Sequence, residues 1–132
     1  MDVNVLEGQV ITSVRKESDL VFNGDVYLTL VFADGRQAIF YHRWECSEKI
    51  WLDDVVGDWG DIIGEKVVAA YMTTSEMEDV EELGTWTFYT IATFKGAVTL
   101  RFCGESNGNY SETVDFAIEE RPGQWEADGP TF

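Results

Sequence analysis

Apolar and polar residues alternate with a period of two over most of this chain, a pattern that predicts strands rather than helices. After Gly8, the residues Val10, Ile11, Ser13 and Val14 open a first strand. From Val26 to Ala33, Val26, Leu28, Leu30 and Phe32 stand against Tyr27, Thr29 and Val31, which reads as a strand covered on both faces or nearly so. Asp34-Gly35 supplies the two positive-φ positions of a tight turn. Arg36 to Tyr41 returns as the partner strand, with Ala38 and Phe40 on one face and Ile39 and Tyr41 on the other. Val67 to Thr74 is a further strand, followed by the acidic loop Glu76, Glu78, Asp79, Glu81 and Glu82 that Gly84 closes. Thr85 to Phe94 is almost wholly β-branched and aromatic, which suits a central strand. Lys95-Gly96 turns it into a strand where Val98, Leu100 and Phe102 alternate with Thr99, Arg101 and Cys103. Gly104 to Asn109 reads as a polar loop, and Tyr110 to Ile118 as a last strand with Val114, Phe116 and Ile118 inward.

Residues 42–64 break this pattern. The spacing from Asp58 to Ile62-Ile63 predicts a short helix near residues 58–63, capped by Asp58 and stopped by Gly64. Asp53, Asp54, Asp58 and Asp61 would then form a charged helix face. The fold expected is a mainly β single domain over residues 1–121, with six or seven mostly antiparallel strands and one short helix. Residues 122–132 are expected to be a C-terminal tail from which Trp125 and Phe132 are able to dock back.

Charge narrows the possible partners. A formal net charge of −16 on 132 residues exceeds what solubility asks of a small domain, roughly 2–8 in magnitude. Such a surface disfavours direct nucleic-acid binding and favours cations, basic proteins or shielded small ligands. A 45% hydrophobic content separates the chain from a disordered acidic tail. No apolar run approaches the ~20 residues needed to cross a bilayer, and Met-Asp-Val-Asn-Val-Leu-Glu-Gly lacks the features of a secretory signal. A cytoplasmic protein with Cys46 and Cys103 as reduced thiols is expected.

Candidate chemistry is sparse. His42, Cys46 and Glu48 have an H-x3-C-x-E spacing, but a zinc site needs four ligands in recognisable pairs and this chain holds one histidine. No metal, no cofactor and no catalytic residues are expected, because the one nucleophile–base pairing on offer, Cys46 or Cys103 with His42, sits on no helix N-terminus or known elbow, and no phosphate-cradling loop is present. The chain therefore reads as a non-enzyme. Recognition groups are easier to find. Trp59, in a Gly-Asp-Trp-Gly-Asp setting, and Tyr110 are the aromatics expected to be partly exposed. The segment Trp51–Asp61 and the loop Gly104–Ser111, with Glu105, Ser106, Asn107 and Tyr110, combine polar side chains with aromatic neighbours.

Tyr41-His42, Cys46, Glu48, Trp51-Leu52-Asp53-Asp54-Val55-Val56-Gly57-Asp58 and Ile62-Ile63-Gly64 resemble a small domain of unknown function found in bacteriophage and prophage proteins. The likeness continues through Thr85-Trp86-Thr87-Phe88-Tyr89, Lys95-Gly96, Gly104-Glu105-Ser106-Asn107-Gly108 and Val114-Asp115-Phe116, covering about residues 8–118. Members often carry adjacent cysteines where this chain has Cys46-Ser47, which weakens a metal or redox reading of that corner. The resemblance implies a phage-associated accessory protein in the host bacterial cytoplasm, a group in which many antagonise host defence. Joined to the charge, it leads to the expectation of a DNA-mimic-like antagonist of a basic host protein. The alternative expectation is a sponge for a nucleotide-derived immune signal, with Arg101, Lys95, Arg43 and His42 as phosphate contacts and Trp59 or Tyr110 as stacking platform.

Overall fold

The computed structural model describes residues 1–16, 24–44, 48–76, 83–106 and 112–127. Among those residues lie eight strands rather than the six or seven expected, because residues 49–56 add one: β1 (Ile11–Arg15), β2 (Gly24–Phe32), β3 (Gln37–Arg43), β4 (Lys49–Val56), β5 (Ala69–Glu76), β6 (Leu83–Ala92), β7 (Ala97–Ser106) and β8 (Asp115–Ile118). They form two four-stranded antiparallel sheets, ordered β1-β2-β3-β8 and β4-β7-β6-β5. The inward residues of both sheets share one core, so the architecture is a two-layer sandwich. At its centre the Phe40 ring lies 4.8 Å from Tyr89, 5.3 Å from Phe116 and 6.1 Å from Phe102, joining β3, β6, β7 and β8 through aromatic contacts. The Tyr89 hydroxyl donates to the Val114 carbonyl at 2.6 Å, giving the buried polar tip a partner.

The β2–β3 hairpin forms as the alternation predicts, but its turn is one residue longer. Gly35 N–H donates to the Phe32 carbonyl at 3.0 Å and Phe32 N–H to the Arg36 carbonyl at 2.9 Å. Ala33 and Asp34 thus occupy the turn centre, and Gly35, at φ +90°, forms the bulge that follows it. Asp34 accepts from the Arg36 backbone N–H at 3.0 Å and from its Nε at 2.8 Å. These bonds hold the Asp34 carboxyl below the usual carboxylate range.

Two expectations are corrected between residues 42 and 64. Residues 49–56 are a strand, β4, paired with β7. A register shift between Leu52 and Asp54 interrupts the strand's period of two. Ile50, Leu52 and Val55 still pack against the core while Asp53 and Asp54 are exposed, so the aspartates do not share a helix face. The expected helix near 58–63 is a single 3-10 turn, Trp59–Asp61. Asp58 caps it as foreseen, accepting from Gly60 N–H at 2.8 Å. The turn does not propagate because the Thr93 hydroxyl takes the Asp61 carbonyl at 2.5 Å and Ile62 is drawn wholly into the core. Among the described residues the α-helical segment is one turn, Gln124–Ala127.

A third correction concerns residues 104–106, which are the end of β7 rather than a loop. Gly104 is there for close approach: a Cβ at this position would run into the Glu112 backbone. The Glu112 carboxylate accepts from the Thr85 hydroxyl at 3.2 Å and the Ser106 hydroxyl at 3.0 Å. Val114, Phe116 and Ile118 are buried as expected. Trp125 docks on the outer side of the first sheet with Ile39, Tyr41 and Ala117, which buries β3 on both faces. Asn107, Tyr110, Cys46, Phe132 and most of the acidic loop after Glu76 lie outside the described residues.

Burial of three phenols makes the fold sensitive to alkali. Desolvation, helped by Asp115, pushes Tyr41 up to about 12, and burial raises Tyr27 and Tyr89 further. Each phenol keeps its proton in the folded state at a pH where the unfolded chain loses it, near 10. The unfolded state then binds fewer protons, so stability falls as pH rises. Thermal melting should be flat to about pH 9 and drop steadily from about pH 10 to 12. A melting temperature unchanged at pH 11 would show these phenols to be solvated.

Candidate functional site

Antiparallel register assembles a continuous outward face on the β4-β7-β6-β5 sheet. One cross-strand row runs Trp51, Cys103, Trp86, Ser75; the next runs Asp54, Arg101, Phe88, Thr73; a third runs Val56, Thr99, Thr90, Tyr71. These residues alternate with Leu52, Leu100, Phe102, Tyr89 and Ile91, which point into the core. Tyr71 is 53% exposed and Trp51 38%, well above what core aromatics show. Cys103, in the row between two tryptophans, is buried. Its thiol is pushed up to about 11 by desolvation and then by Glu105 and Asp53, so it is no nucleophile at neutral pH.

Arg101 organises the centre of the face. Its guanidinium carbon lies 5.2 Å over the Trp86 ring, its Nε donates to Asp53 at 2.8 Å, and a terminal nitrogen lies 2.6 Å from the same carboxylate oxygen. Asp54 lies 3.8 Å from that nitrogen. Indole and carboxylates together form a cradle for a planar cation, with the ring face supplying quadrupole attraction and the carboxylates charge.

Of the residues singled out from sequence, Arg101 and Glu105 share this face, two strand positions apart on one side of β7. Trp51, Asp53 and Asp54 of the segment Trp51–Asp61 join them, while the other residues do not gather here. Ser106 faces inward and is buried, bonded to Glu112. Trp59 is half-buried against the core. His42 sits in β3 of the other sheet, 2% exposed, where its Nδ1–H donates to the Thr113 carbonyl at 3.1 Å. Its Nε2 is 3.8 Å from a Glu48 carboxylate that is equally buried, so the His42–Glu48 corner is brought together internally. Lys95 is ion-paired with Glu65 at 3.1 Å, and Arg43 is exposed at the end of β3. The four cations assigned to a phosphate are therefore dispersed over both sheets.

Sequence reasoning missed four exposed aromatics. Phe94 is 94% exposed in the β6–β7 turn, beyond the Ala92 end of the central strand that its composition predicts to include it. Its one signal is its position directly before Lys95-Gly96. Trp44 is 56% exposed, its indole N–H donating to Asp25 at 3.0 Å. Trp51 and Tyr71 were hidden because period two says which residues share a face, not which face is covered.

The family model described as Domain of unknown function (DUF7448) matches residues 4–116. The chain belongs to that family. No curated protein and no solved structure matches it. The DUF7448 span contains all four strands of the outward face and reaches into β8, so that face is part of the family domain. Among the described residues no group of three or more His, Cys, Asp or Glu side chains is placed to hold a metal ion. No helix among them is long and apolar enough to cross a membrane.

Proposed function

We propose that this DUF7448 protein is a non-enzymatic binding protein whose acidic surface engages a basic protein. In the phage setting to which its motifs point, it antagonises a host defence factor by offering carboxylates where that factor expects nucleic-acid phosphates. One observation carries the reading: the outward face already holds a guanidinium between the Trp86 ring and the Asp53 and Asp54 carboxylates. The same chemistry suits arginines of a partner, with Trp51, Glu105 and Tyr71 elsewhere on the same face. A net charge of −16 adds long-range attraction that speeds encounter.

The test is capture from bacterial lysate by the immobilised protein, repeated across a salt series and with duplex DNA as competitor. Nucleic-acid-binding proteins should be retained, displaced by DNA, and bound at least about tenfold more weakly at 0.5 M than at 0.05 M salt. Retention indifferent to both salt and DNA would overturn the reading. A thermal-shift screen against cyclic and ADP-ribose-type nucleotides addresses the sponge alternative, which a stabilisation of several degrees would favour.

A further inference from the structure

Each four-stranded sheet ends in two edges, and three of the four are guarded. β1 carries a register shift between Ile11 and Ser13 and finishes at Arg15. β4 carries a register shift next to Asp53 and Asp54 and begins with Lys49. β8 is only four residues long. Charge, bulges and shortness are the means by which edges avoid pairing with other chains.

β5 has none of these; the 3-10 turn Val3–Leu6 packs against the strand, and no other described element outside its sheet does so to a comparable extent. Its eight residues, Ala-Ala-Tyr-Met-Thr-Thr-Ser-Glu, contain no Lys, Arg or Pro, and the only charge is terminal Glu76. Its register with β6 runs unbroken from Ala69↔Ala92 to Glu76↔Thr85. Every side chain from Tyr71 to Glu76 is exposed. In an antiparallel ladder alternate residues turn their N–H and C=O groups away from the neighbour. Among the described residues those groups of β5 meet no other backbone, and the Ser75 hydroxyl on the Glu76 carbonyl is the one contact they receive.

The surroundings indicate what would fit. Between the 3-10 turn Val3–Leu6 and the first half of β5 lies an open depression of about 510 Å3. Its lining includes Met1 with its α-amino group, Asp2, Glu7, Tyr71 and Met72, so two carboxylates face one cation there. Carboxylates therefore stand at both ends of this edge, Asp2 and Glu7 beside the 3-10 turn at one and Glu76 at the other. A second copy of this chain would bring the same carboxylates and another −16 of charge. An extended segment bearing lysine or arginine would bring their complement.

We infer that the open edge of β5 is a strand-docking site, at which an extended, basic segment of a partner protein adds as a fifth strand to the β4-β7-β6-β5 sheet. Main-chain bonds to β5 supply affinity, and cationic side chains reaching Asp2, Glu7 and Glu76 supply selectivity. The basic character of the segment rests on the proposed function; the geometry of the edge stands without it.

The probe is a twelve-residue peptide alternating Lys with Val and Thr, titrated into isotope-labelled protein and followed by amide shifts and hydrogen exchange. Shifts and slowed exchange are expected along residues 69–76. N-methylation of the four central peptide residues, which removes ladder donors from both peptide edges, should weaken binding at least about tenfold. A Glu-for-Lys peptide should also bind at least about tenfold more weakly. Equal binding of the N-methylated peptide, or shifts confined to Trp51 and Trp86, would overturn the edge site. So would a micromolar dimer with β5 amides protected before any peptide is added. Lysate capture that is salt-sensitive yet leaves β5 amides unchanged overturns the edge site alone. Equal β5 binding of the Lys and Glu peptides overturns the basic-partner reading and leaves the edge site standing.

Discussion

Replacing Phe40 with alanine will remove about 3–5 kcal/mol of folding stability, a large part of the total for a domain of this size. Phe40 is fully buried and its ring packs on Tyr89, Phe102 and Phe116, contributed by strands of both sheets. Truncation deletes transferred apolar area, leaves a cavity that the flanking backbones cannot close, and removes ring–ring contacts at the sandwich centre. At roughly 3–5 °C per kcal/mol, the melting temperature should fall by about 10–20 °C. Phe94→Ala is the matched control, since that ring is 94% exposed and its loss should cost within about 0.5 kcal/mol. Similar melting temperatures for the two variants would mean that the sheets do not meet at Phe40.

The second large effect is expected at Gly104, where alanine should cost about 2–3 kcal/mol despite adding one methyl group. The residue lies in β7, buried, with the Glu112 main chain crossing directly over it. A Cβ there meets backbone rather than a movable side chain, so either β7 bends or the crossing segment lifts. Lifting would pull the Glu112 carboxylate from the Thr85 and Ser106 hydroxyls, leaving buried Ser106 without that acceptor. Denaturant unfolding measures the loss directly. Ser106→Ala, which removes one hydroxyl and leaves the close approach intact, should cost about 1 kcal/mol. A Gly104→Ala variant as stable as the natural chain would show that the crossing is loose.

Much of the fold was legible because period-two alternation is a local property of each strand. β2, β3 and β7 were readable from the placement of Leu28, Leu30, Ala38, Phe40, Leu100 and Phe102, all of which are buried, and β6 from its β-branched and aromatic composition. β4 was not, since its bulge between Leu52 and Asp54 interrupts the alternation on which the reading depends. Asp58 was recognisable as a cap, whereas the length of what it caps was decided by Thr93, thirty-two residues away from the Asp61 carbonyl it takes. Gly104-Glu105-Ser106 has the composition of a turn and the structure of a strand. Its glycine answers to a crossing chain segment that local sequence does not reveal.

The candidate site follows the same division. The sequence by itself determined the excess of carboxylates, the aromatic supply and most of the strands that carry them. Arg101 was visible as a candidate because it is one of few cations and Glu105 because its segment has the composition of a polar loop; that both lie on one side of β7 came from the structure. Only the tertiary structure decided that Trp125 covers the outer side of one sheet while Trp51, Trp86 and Tyr71 remain on the open side of the other. It likewise set Arg101 between Trp86 and Asp53, forty-eight residues apart from that aspartate, and left β5 at an edge. The physical reason is that periodicity sorts side chains into two faces, whereas strand order and the packing of distant segments decide which face and which edge stay exposed.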